Sequence, residues 1–331
     1  TFSQREPVEG GVPSQRTEVR VLFDDRHLYF AIRCFDSEPD RIVAKRMRRD
    51  DRLFEDDSIE IVLDTYNNRR GGYYFSTNSL GAQRDALLID EGRTRNEAWD
   101  AVWASRGRRD TLGWTAEVAI PLAQLRYAVG GDGVWGVNVG RRIPRGNEEI
   151  YLAPPPQSFG FGGGYRTSQL ASLRGLESLE RRTQLEITPY VLSGTRRDFD
   201  GLDPTEAPFI DTGADIRTGL FGGLTLDLSY NTDFAQVESD QEEINLTRFS
   251  LFFPEQRGFF LEGAGIFALG ERRQRFGGRP PTMLFYSRRI GIQEGHAIPV
   301  LYGAKLTGRV GAYELGLLNT MTEPALFRDE V

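Results

Sequence analysis

TEVRVLFDDRHLYFAIRC, residues 17–34, alternates apolar and polar side chains on both sides of a central polar turn. Asp24, Asp25 and Arg26 form that turn. A period of two is typical of a strand that buries one face, and two such runs joined by a short polar turn predict a β-hairpin. The clearest local pattern in the chain therefore indicates antiparallel β structure.

Further strand candidates follow the hairpin as far as residue 143. They are short, they are separated by turns rich in Gly, Asn and Asp, and helical periodicity is scarce between them. The predicted strands are residues 58–65, 73–78, 83–89, 101–108, 114–120 and 135–143. This arrangement is typical of an antiparallel β-sandwich or jelly roll, which we predict for residues 1–152. Trp114 and Trp135 stand at strand starts and are predicted to lie in its core.

The pattern of residue types along the predicted strands changes after a Pro- and Gly-rich stretch. PPPQSFGFGGGYR, residues 154–166, reads as a linker or an ordered crossing loop, and residues 153–178 are predicted as the linker. Beyond it, residues 224–230 (LTLDLSY) place Leu and Tyr on one strand face and Thr, Asp and Ser on the other. Similar strands are predicted at 184–192, 212–220, 301–310 and 313–320. Such strands are typical of an outer-membrane β-barrel, whose N-terminal part we predict at 179–331, although a second soluble sandwich has the same texture.

Composition excludes several classes of function. A net charge of -7 argues against a dedicated nucleic-acid binder. Cys34 is the only cysteine, so no intrachain disulfide is possible, and its apolar strand predicts a buried side chain. Only two histidines are present, which disfavours a histidine-based zinc site or a Ser-His-Asp triad. We see no catalytic constellation and predict that the protein is not an enzyme.

Basic residues are almost all arginine. Lys45 and Lys305 are the only lysines among 41 basic residues. A GC-rich genome explains this bias, and selection of Arg for bidentate anion contacts is the alternative.

SLFFPEQRGFFLEG, residues 250–263, concentrates two Phe pairs around a charged turn. If the barrel prediction holds, the Phe pairs belong to an inward-folded or rim segment between strands, with Glu255 and Arg257 at a polar end. The alternative is an ordinary buried loop core. A capping box formed by Ser239 and Glu242 also predicts a short helix at 246–253.

The chain resembles a family of bacterial outer-membrane proteins. The resemblance lies in residues 231–263 (NTDFAQVESDQEEINLTRFSLFFPEQRGFFLEG) and in residues 5–42, 56–86 and 99–127 of the first half. In that family the N-terminal part is similar to the family 9 carbohydrate-binding module, and the C-terminal part is a β-barrel domain of unknown function. The resemblance implies an outer-membrane location in a Gram-negative-type bacterium, with the sandwich facing the periplasm or the cell surface.

Two departures from the family pattern bear on the extent of the chain. The usual first strand of the module and its preceding signal peptide are missing, and residues 179–331 supply about six strands where a closed bacterial barrel has at least about 8. We therefore expect the chain to be a fragment of a longer protein.

Candidate ligand-binding residues combine aromatic rings with planar polar groups, the two elements that a sugar site needs. The candidates are Arg70, Tyr73, Tyr74, Asn78, Gln83, Asp85, Trp99 and Trp103. The predicted ligand is a glycan or another extended molecule. Aromatic residues at alternate strand positions are also common in cores, so at least half of the set is expected to serve packing.

The acidic stretch at 50–57 is the one candidate metal site. Asp50, Asp51, Asp56 and Asp57 offer carboxylates for Ca²⁺, and modules of the resembled family hold calcium structurally. The stretch lacks the spacing of an EF-hand and is flanked by arginines, so a solvated charged loop is the alternative.

The function predicted from these features is that of a non-catalytic, carbohydrate-binding module attached to an outer-membrane β-barrel. One alternative is a structural scaffold subunit that docks on a larger membrane assembly. Another is a glycoside-hydrolase-associated protein, which would need two carboxylates roughly 5–10 Å apart in a cleft.

Overall fold

The structure is a computed structural model that describes residues 1–127, 133–179, 185–198, 205–220, 223–231, 255, 257–261, 263–267, 284–293, 296–311 and 313–324. The chain divides into two compact units, Thr1–Glu180 and Arg181–Val331. The predicted helix at 246–253 and its capping box lie outside the described residues, as do Phe252 and Phe253. No helix in the described part of the chain is long and apolar enough to cross a membrane.

Unit 1 consists of two antiparallel sheets, which confirms the all-β prediction. Its strands are β1 (Ser3–Glu6), β2 (Thr17–Phe23), β3 (His27–Phe35), β4 (Ser58–Asp64), β5 (Gly72–Asn78), β6 (Gln83–Ile89), β7 (Thr94–Asn96), β8 (Ala104–Asp110), β9 (Gly113–Pro121), β10 (Trp135–Ile143), β11 (Glu148–Tyr151) and β12 (Ala171–Leu173). The larger sheet has the order β1-β11-β10-β4-β5-β6-β7, with β12 also paired to β10, and the smaller sheet has the order β2-β3-β9-β8.

The predicted hairpin is confirmed in register. Strands β2 and β3 pair from Thr17 opposite Cys34 to Phe23 opposite Leu28. Alternate residues of β3 are buried, which is the physical consequence of the period-two pattern. Burial raises the pKa of the Cys34 thiol to about 12, so this side chain stays neutral in the core.

Two details of the strand predictions differ from the structure. The strand predicted at 101–108 begins only at Ala104, because residues 101–103 belong to a loop that turns Ala101 and Trp103 into the core. Strands β1, β7, β11 and β12 were not predicted, since three or four residues are too few to show periodicity. Trp114 and Trp135 are buried as predicted.

The Pro- and Gly-rich stretch packs on unit 1. It forms 3-10 turns at Gln157–Tyr165 and Thr167–Gln169, and β12 then joins the larger sheet. Tyr165 and Leu170 pack on a cluster formed by Val62, Tyr74, Ala86 and Leu88 on the outer face of that sheet. This cover explains why every residue of β4 is buried although only one face of the strand meets the inner core.

Arg141 is a buried charged residue in unit 1. Its Nη1 donates hydrogen bonds to Arg16 O at 3.2 Å and to Phe35 O at 2.9 Å. Its Nη2 lies 3.5 Å from the Asp36 carboxylate, which also pairs with Arg145. A buried guanidinium is tolerated when hydrogen bonds and a counter-charge replace water. Arg141 in strand β10 therefore ties the larger sheet to β3 and to the segment before β2.

Unit 2 contains one five-stranded antiparallel sheet in its described part. The strands are β13 (Leu185–Asp198), β14 (Thr205–Gly219), β15 (Leu224–Tyr230), β18 (Val300–Val310) and β19 (Tyr313–Thr322), in the order β13-β14-β15-β18-β19. A two-residue pair, β16 (Ile292–Gln293) and β17 (His296–Ala297), and two short helices, α1 (Gly258–Leu261) and α2 (Ala264–Phe267), complete the described elements. All five predicted strands of this region are confirmed, but the described sheet is open, so the barrel stays a prediction.

An ordinary water-soluble sheet buries its apolar face and exposes its polar face, and this sheet does the reverse. In β15 the hydroxyl and carboxylate residues Thr225, Asp227 and Ser229 are buried, whereas Leu228 and Tyr230 are exposed. The register continues the same division onto the neighbouring strands. The exposed apolar residues are Leu185, Ile187, Val191, Ile210, Leu228, Tyr230, Tyr302, Val310, Tyr313, Leu315, Leu317 and Met321. Among the described residues this face is exposed, and an apolar patch of this extent is typical of a surface that contacts a partner.

Candidate functional site

The predicted ligand-binding residues fall into separate places in unit 1. Tyr73, Gln83, Asp85, Trp99 and Trp103 come together beside the loop that precedes β8. Tyr74 lies on the other face of the larger sheet. Asn78 donates a hydrogen bond to Asp56 at 2.8 Å, and Arg70 is exposed in the loop before β5.

Arg49 is the centre of the group formed at Gln83 and Asp85, although the sequence did not single it out as a ligand residue. Its Nη2 donates to the two Asp85 carboxylate oxygens at 2.7 and 3.0 Å and to Ala101 O at 2.9 Å. Its Nη1 donates to Gln83 Oε1 at 3.1 Å, and its Nε donates to Asp100 Oδ1 at 3.2 Å. We call Arg49, Asp50, Gln83, Asp85 and Asp100 the Arg49 cluster.

The cluster combines a buried carboxylate with groups that face solvent. The Asp85 side chain is fully buried, whereas the Arg49 side chain is 36% exposed and that of Asp100 is 66% exposed. Strand β6 positions Gln83 and Asp85 on the same sheet face, two residues apart, and the loop after β7 supplies Asp100. Several planar groups with spare hydrogen-bonding capacity are therefore held at one surface.

Aromatic rings lie next to the Arg49 cluster, but they are mostly covered. Phe75 makes edge-to-face contacts with Trp103 at 5.3 Å and with Trp99 at 6.0 Å, and Tyr73 lies 5.1 Å from Trp99. Trp99 and Trp103 are only 5% and 7% exposed. Gln83 Nε2 donates to Trp103 O at 2.8 Å, which joins the polar cluster to the aromatic loop. The two indoles thus shape the loop that carries Asp100, and their role in stacking on a sugar stays a prediction.

Burial controls the electrostatics of Asp85. Loss of solvent raises the pKa of its carboxyl to about 6, against the opposing effects of the Ala101 N–H and the Arg49 guanidinium, which favour the ionised form. The Ala101 N–H donates to Asp85 Oδ2 at 2.5 Å.

Replacing Asp85 by asparagine should change the pH dependence of stability. Between pH values of about 4 and 6, Asp85 holds up to one more proton in the native protein than in the unfolded chain, so its contribution to the free energy of unfolding falls as pH rises, by at most about 1.4 kcal/mol per pH unit. Asp85→Asn removes this contribution, so its stability relative to wild type should improve from pH 4 to pH 6. Urea unfolding at several pH values measures the difference.

The control for this prediction is Asp110→Asn. Arg33 holds the pKa of the Asp110 carboxyl at about 2, so the pH dependence of stability that this variant removes lies mainly below pH 4. If the free energies of unfolding of wild type and Asp85→Asn changed in parallel with pH, a pKa of about 6 for Asp85 would be contradicted.

The acidic residues predicted as a calcium site do not converge on one point. Among the described residues, the one group of three carboxylates within 4.8 Å of one another is Asp50, Asp85 and Asp100, and only Asp50 belongs to the predicted set. The Arg49 guanidinium already pairs with all three carboxylates, so a dication at this position would have to compete with it. Calcium binding stays a prediction.

Asp56 and Asp57 have a structural role in the same loop region. Asp57 Oδ2 accepts a hydrogen bond from Val43 N at 2.8 Å, and Asp56 Oδ2 accepts from Lys45 N and Arg46 N at 3.1 Å each. The two buried carboxylates therefore satisfy backbone donors of an irregular segment. Nothing in the contacts of Asp51 joins it to them.

A second polar cluster lies on the outer face of the larger sheet, around Glu60. Tyr74 OH donates to Glu60 Oε1 at 3.2 Å, and Tyr151 OH donates to Glu60 Oε2 at 3.3 Å. Gly140 and Gly164 leave room for the Tyr151 ring, since a Cβ at either position would overlap it. Burial raises the pKa of Glu60, and the charge of Arg142 opposes this effect. The cluster is closed off by residues 157–165, and this cover favours a structural role for Tyr74.

Comparison with known families adds to this geometry. Residues 7–139 match the family described as carbohydrate family 9 binding domain-like. Unit 1 contains a family 9-like domain. Residues 182–327 match a domain of unknown function, DUF5916. A comparison with curated proteins found no match for the chain.

Two solved structures are similar to part of the chain. One is a family 9 carbohydrate-binding module from Caldicellulosiruptor kristjanssonii in complex with glucose, with 14% identity, a TM-score of 0.36, and coverage of 55% of this chain and 85% of that chain. The other is a putative carbohydrate-binding protein from Bacteroides uniformis, with 14% identity, a TM-score of 0.40, and coverage of 52% and 84%.

Proposed function

We propose that the family 9-like domain binds a glycan at the Arg49 cluster and that unit 2 holds the domain at the bacterial outer membrane. The observation that carries the first part is the presence of Arg49, Gln83 and Asp100 at one surface, beside two indoles. Guanidinium, amide and carboxylate groups bind adjacent sugar hydroxyls as donors and acceptors. The family match of residues 7–139 supports the same class of ligand.

The charge balance of the cluster favours a neutral glycan. Arg49 is paired with Asp50, Asp85 and Asp100, so the exposed groups present alternating donors and acceptors without an excess of positive charge. An acidic glycan would meet two exposed carboxylates. The match to a family of binding domains also supports a protein without catalysis of its own. The scaffold and hydrolase-associated alternatives stay predictions.

Calorimetric titration of the full chain with neutral gluco- and xylo-oligosaccharides tests glycan binding. Wild type should bind at least one of them, and Arg49→Gln should bind roughly tenfold or more weakly, since the loss of a charged hydrogen-bond donor costs about 1.5–3 kcal/mol. Arg33→Gln is the matched control, because Arg33 forms a bidentate pair with Asp110 at 2.6 and 2.7 Å on the other sheet. If Arg49→Gln bound the glycan as tightly as wild type, the site would not be the Arg49 cluster. If wild type bound none of the oligosaccharides, the proposal would be refuted.

The second part of the proposal rests on the inverted polarity of the sheet in unit 2. The strands β13, β14, β18 and β19 have 14, 15, 11 and 10 residues, and a tilted strand needs about 9–11 to cross a bilayer. An apolar outer face opposite a polar inner face is the pattern of strands that contact lipid on one side only. We therefore propose acyl chains as the partner of the exposed apolar face.

A further inference from the structure

The second Phe pair of the motif at 250–263, Phe259 and Phe260, is described by the structure, and Phe259 lies on the polar face of the sheet in unit 2. The Phe259 ring packs directly on Gly303, where an added Cβ would come within 2.7 Å of the ring. A few residues after the motif, Ile266 and Phe267 pack in the same way on Gly316. We call the described residues 257–261 and 263–267 the Phe259 segment. Because Gly303 in β18 and Gly316 in β19 have no side chain, the apolar side chains of this segment pack directly on the two strands.

A ladder of alternating charges crosses the polar face. Glu186, Arg217, Asp227 and Lys305 stand directly opposite one another on β13, β14, β15 and β18. Arg217 pairs with Glu186 at 3.2 Å and with Asp227 at 2.9 Å, and Lys305 Nζ lies 3.5 Å from Asp227 Oδ2. Charged side chains are costly to bury without a function or full pairing, and here each has a neighbour of opposite sign.

Lys305 joins this ladder to the Phe259 segment. Its ammonium donates a hydrogen bond to Phe259 O and lies 5.0 Å from the centroid of the Phe259 ring. The residue is 2% exposed. In a chain that otherwise uses arginine almost throughout, a lysine stands where a compact charge with three rotatable donors must reach both a carboxylate and a backbone carbonyl.

Arg257 anchors the start of the segment. It pairs with Glu255 at 2.9 Å and donates to Ile290 O at 2.7 Å and to Ser287 O at 2.8 Å. Its guanidinium also lies 4.2 Å from the centroid of the Phe260 ring. The segment is therefore held by several bonds at Arg257, whereas Lys305 makes the polar contact to Phe259.

We propose that the Phe259 segment is a displaceable plug over a polar path along unit 2, that Lys305 is its latch, and that the path admits a neutral hydroxylated solute. The membrane setting rests on the proposed function. A ladder of paired charges offers donors and acceptors to hydroxyl groups without selecting an ion. When the plug moves, a solute hydroxyl replaces Phe259 O as the acceptor for the Lys305 ammonium, and Gly303 and Gly316 add no side chain at the two positions that the segment leaves.

Lysine acylation of the full chain, in detergent, tests the latch, because the protein has only two lysines. Lys45 is exposed and should react with an N-hydroxysuccinimide acetate reagent. Lys305 should react at least roughly tenfold more slowly, because the reagent reaches it only after local opening. Gly303→Ala crowds the Phe259 ring and should raise the rate at Lys305 while the rate at Lys45 stays unchanged. Peptide mass spectrometry measures both sites.

Two results would overturn the latch. One is equal reactivity of Lys45 and Lys305 in wild type. The other is a rate of acylation at Lys305 that is the same in Gly303→Ala as in wild type. If Gly303→Ala does not fold, Gly316→Ala, which crowds Ile266 and Phe267, takes its place. Circular dichroism checks the fold of each variant.

Solute entry into proteoliposomes tests the path. Osmotic swelling in a neutral trisaccharide should be faster with Lys305→Met than with wild type, and Lys45→Met should behave as wild type. If wild type admits the trisaccharide and Lys305→Met does not speed its entry, the plug is refuted, whereas incorporation of both proteins without swelling in either would refute the path. Failure to incorporate would refute the membrane placement and, with it, the path, while the acylation result would still decide whether Lys305 latches the segment.

Discussion

Replacing Trp103 by alanine should lower the free energy of unfolding of the family 9-like domain by about 3–5 kcal/mol, the usual cost of removing a large buried aromatic side chain. Trp103 is 7% exposed and packs edge-on against Phe75. Its loss would leave a cavity between β5 and the loop before β8, and the dense packing of the surroundings limits how far they can close it. Urea denaturation followed by circular dichroism gives the value, because tryptophan fluorescence would itself change.

The neighbouring residue provides the control for this prediction. Val102 is 76% exposed, so Val102→Ala should change stability by less than about 0.5 kcal/mol. The same two variants also separate packing from ligand contact. If Trp103→Ala kept the stability of wild type and lost only glycan affinity, the indole would be a sugar platform, and its assignment to the packing of the loop would be wrong.

Replacing Leu317 by arginine should destabilise the protein in a bilayer by about 2–4 kcal/mol, the measured range for a basic residue on the lipid face near the midplane. Leu317 lies in the middle of β19, is 66% exposed, and stands opposite Leu306 on the apolar face. A guanidinium at this position would exchange water for acyl chains if the membrane proposal is correct. The readout is the urea midpoint of unfolding from proteoliposomes.

Leu22→Arg is the matched control for the lipid face. Leu22 is likewise an exposed leucine in an antiparallel strand, at 59%, but it belongs to β2 of the family 9-like domain. This variant should unfold at the wild-type urea concentration. Equal midpoints for wild type, Leu22→Arg and Leu317→Arg would show that the apolar face of unit 2 does not meet lipid.

Strand positions in both units followed from short-range patterns. Most of the long strands carry a period-two alternation or a continuous apolar run, whereas β8 (ASRGRRD) has neither. Short-range patterns do not predict which face of the sheet in unit 2 is buried. The alternation of LTLDLSY separates Leu from Asp and Ser, but it does not say which side is covered, and the structure covers the polar side.

The candidate site was predicted in part for a similar reason. Gln83, Asp85 and Trp103 were selected because aromatic and planar polar residues lie close together in sequence. Arg49 is 36 residues from Asp85 and 51 residues from Asp100, so no local pattern connects it with them. Arg49 lies beside the acidic stretch at 50–57, and in a sequence this position indicates neutralisation of a charged loop and not a binding residue.

Local sequence is enough to predict the β class, the hairpin at 17–34, the long strands of both units and the aromatic and polar residue types near the site, because these depend on residue periodicity and chemistry along a few neighbouring positions. The tertiary structure alone decided that Trp99 and Trp103 are buried, that Arg49 gathers carboxylates from three parts of the chain, and that Lys305 meets Phe259. Arg49 lies 36 positions from Asp85 and 51 from Asp100, and Lys305 lies 46 positions from Phe259, so only the packing of sheets and loops brings these residues together.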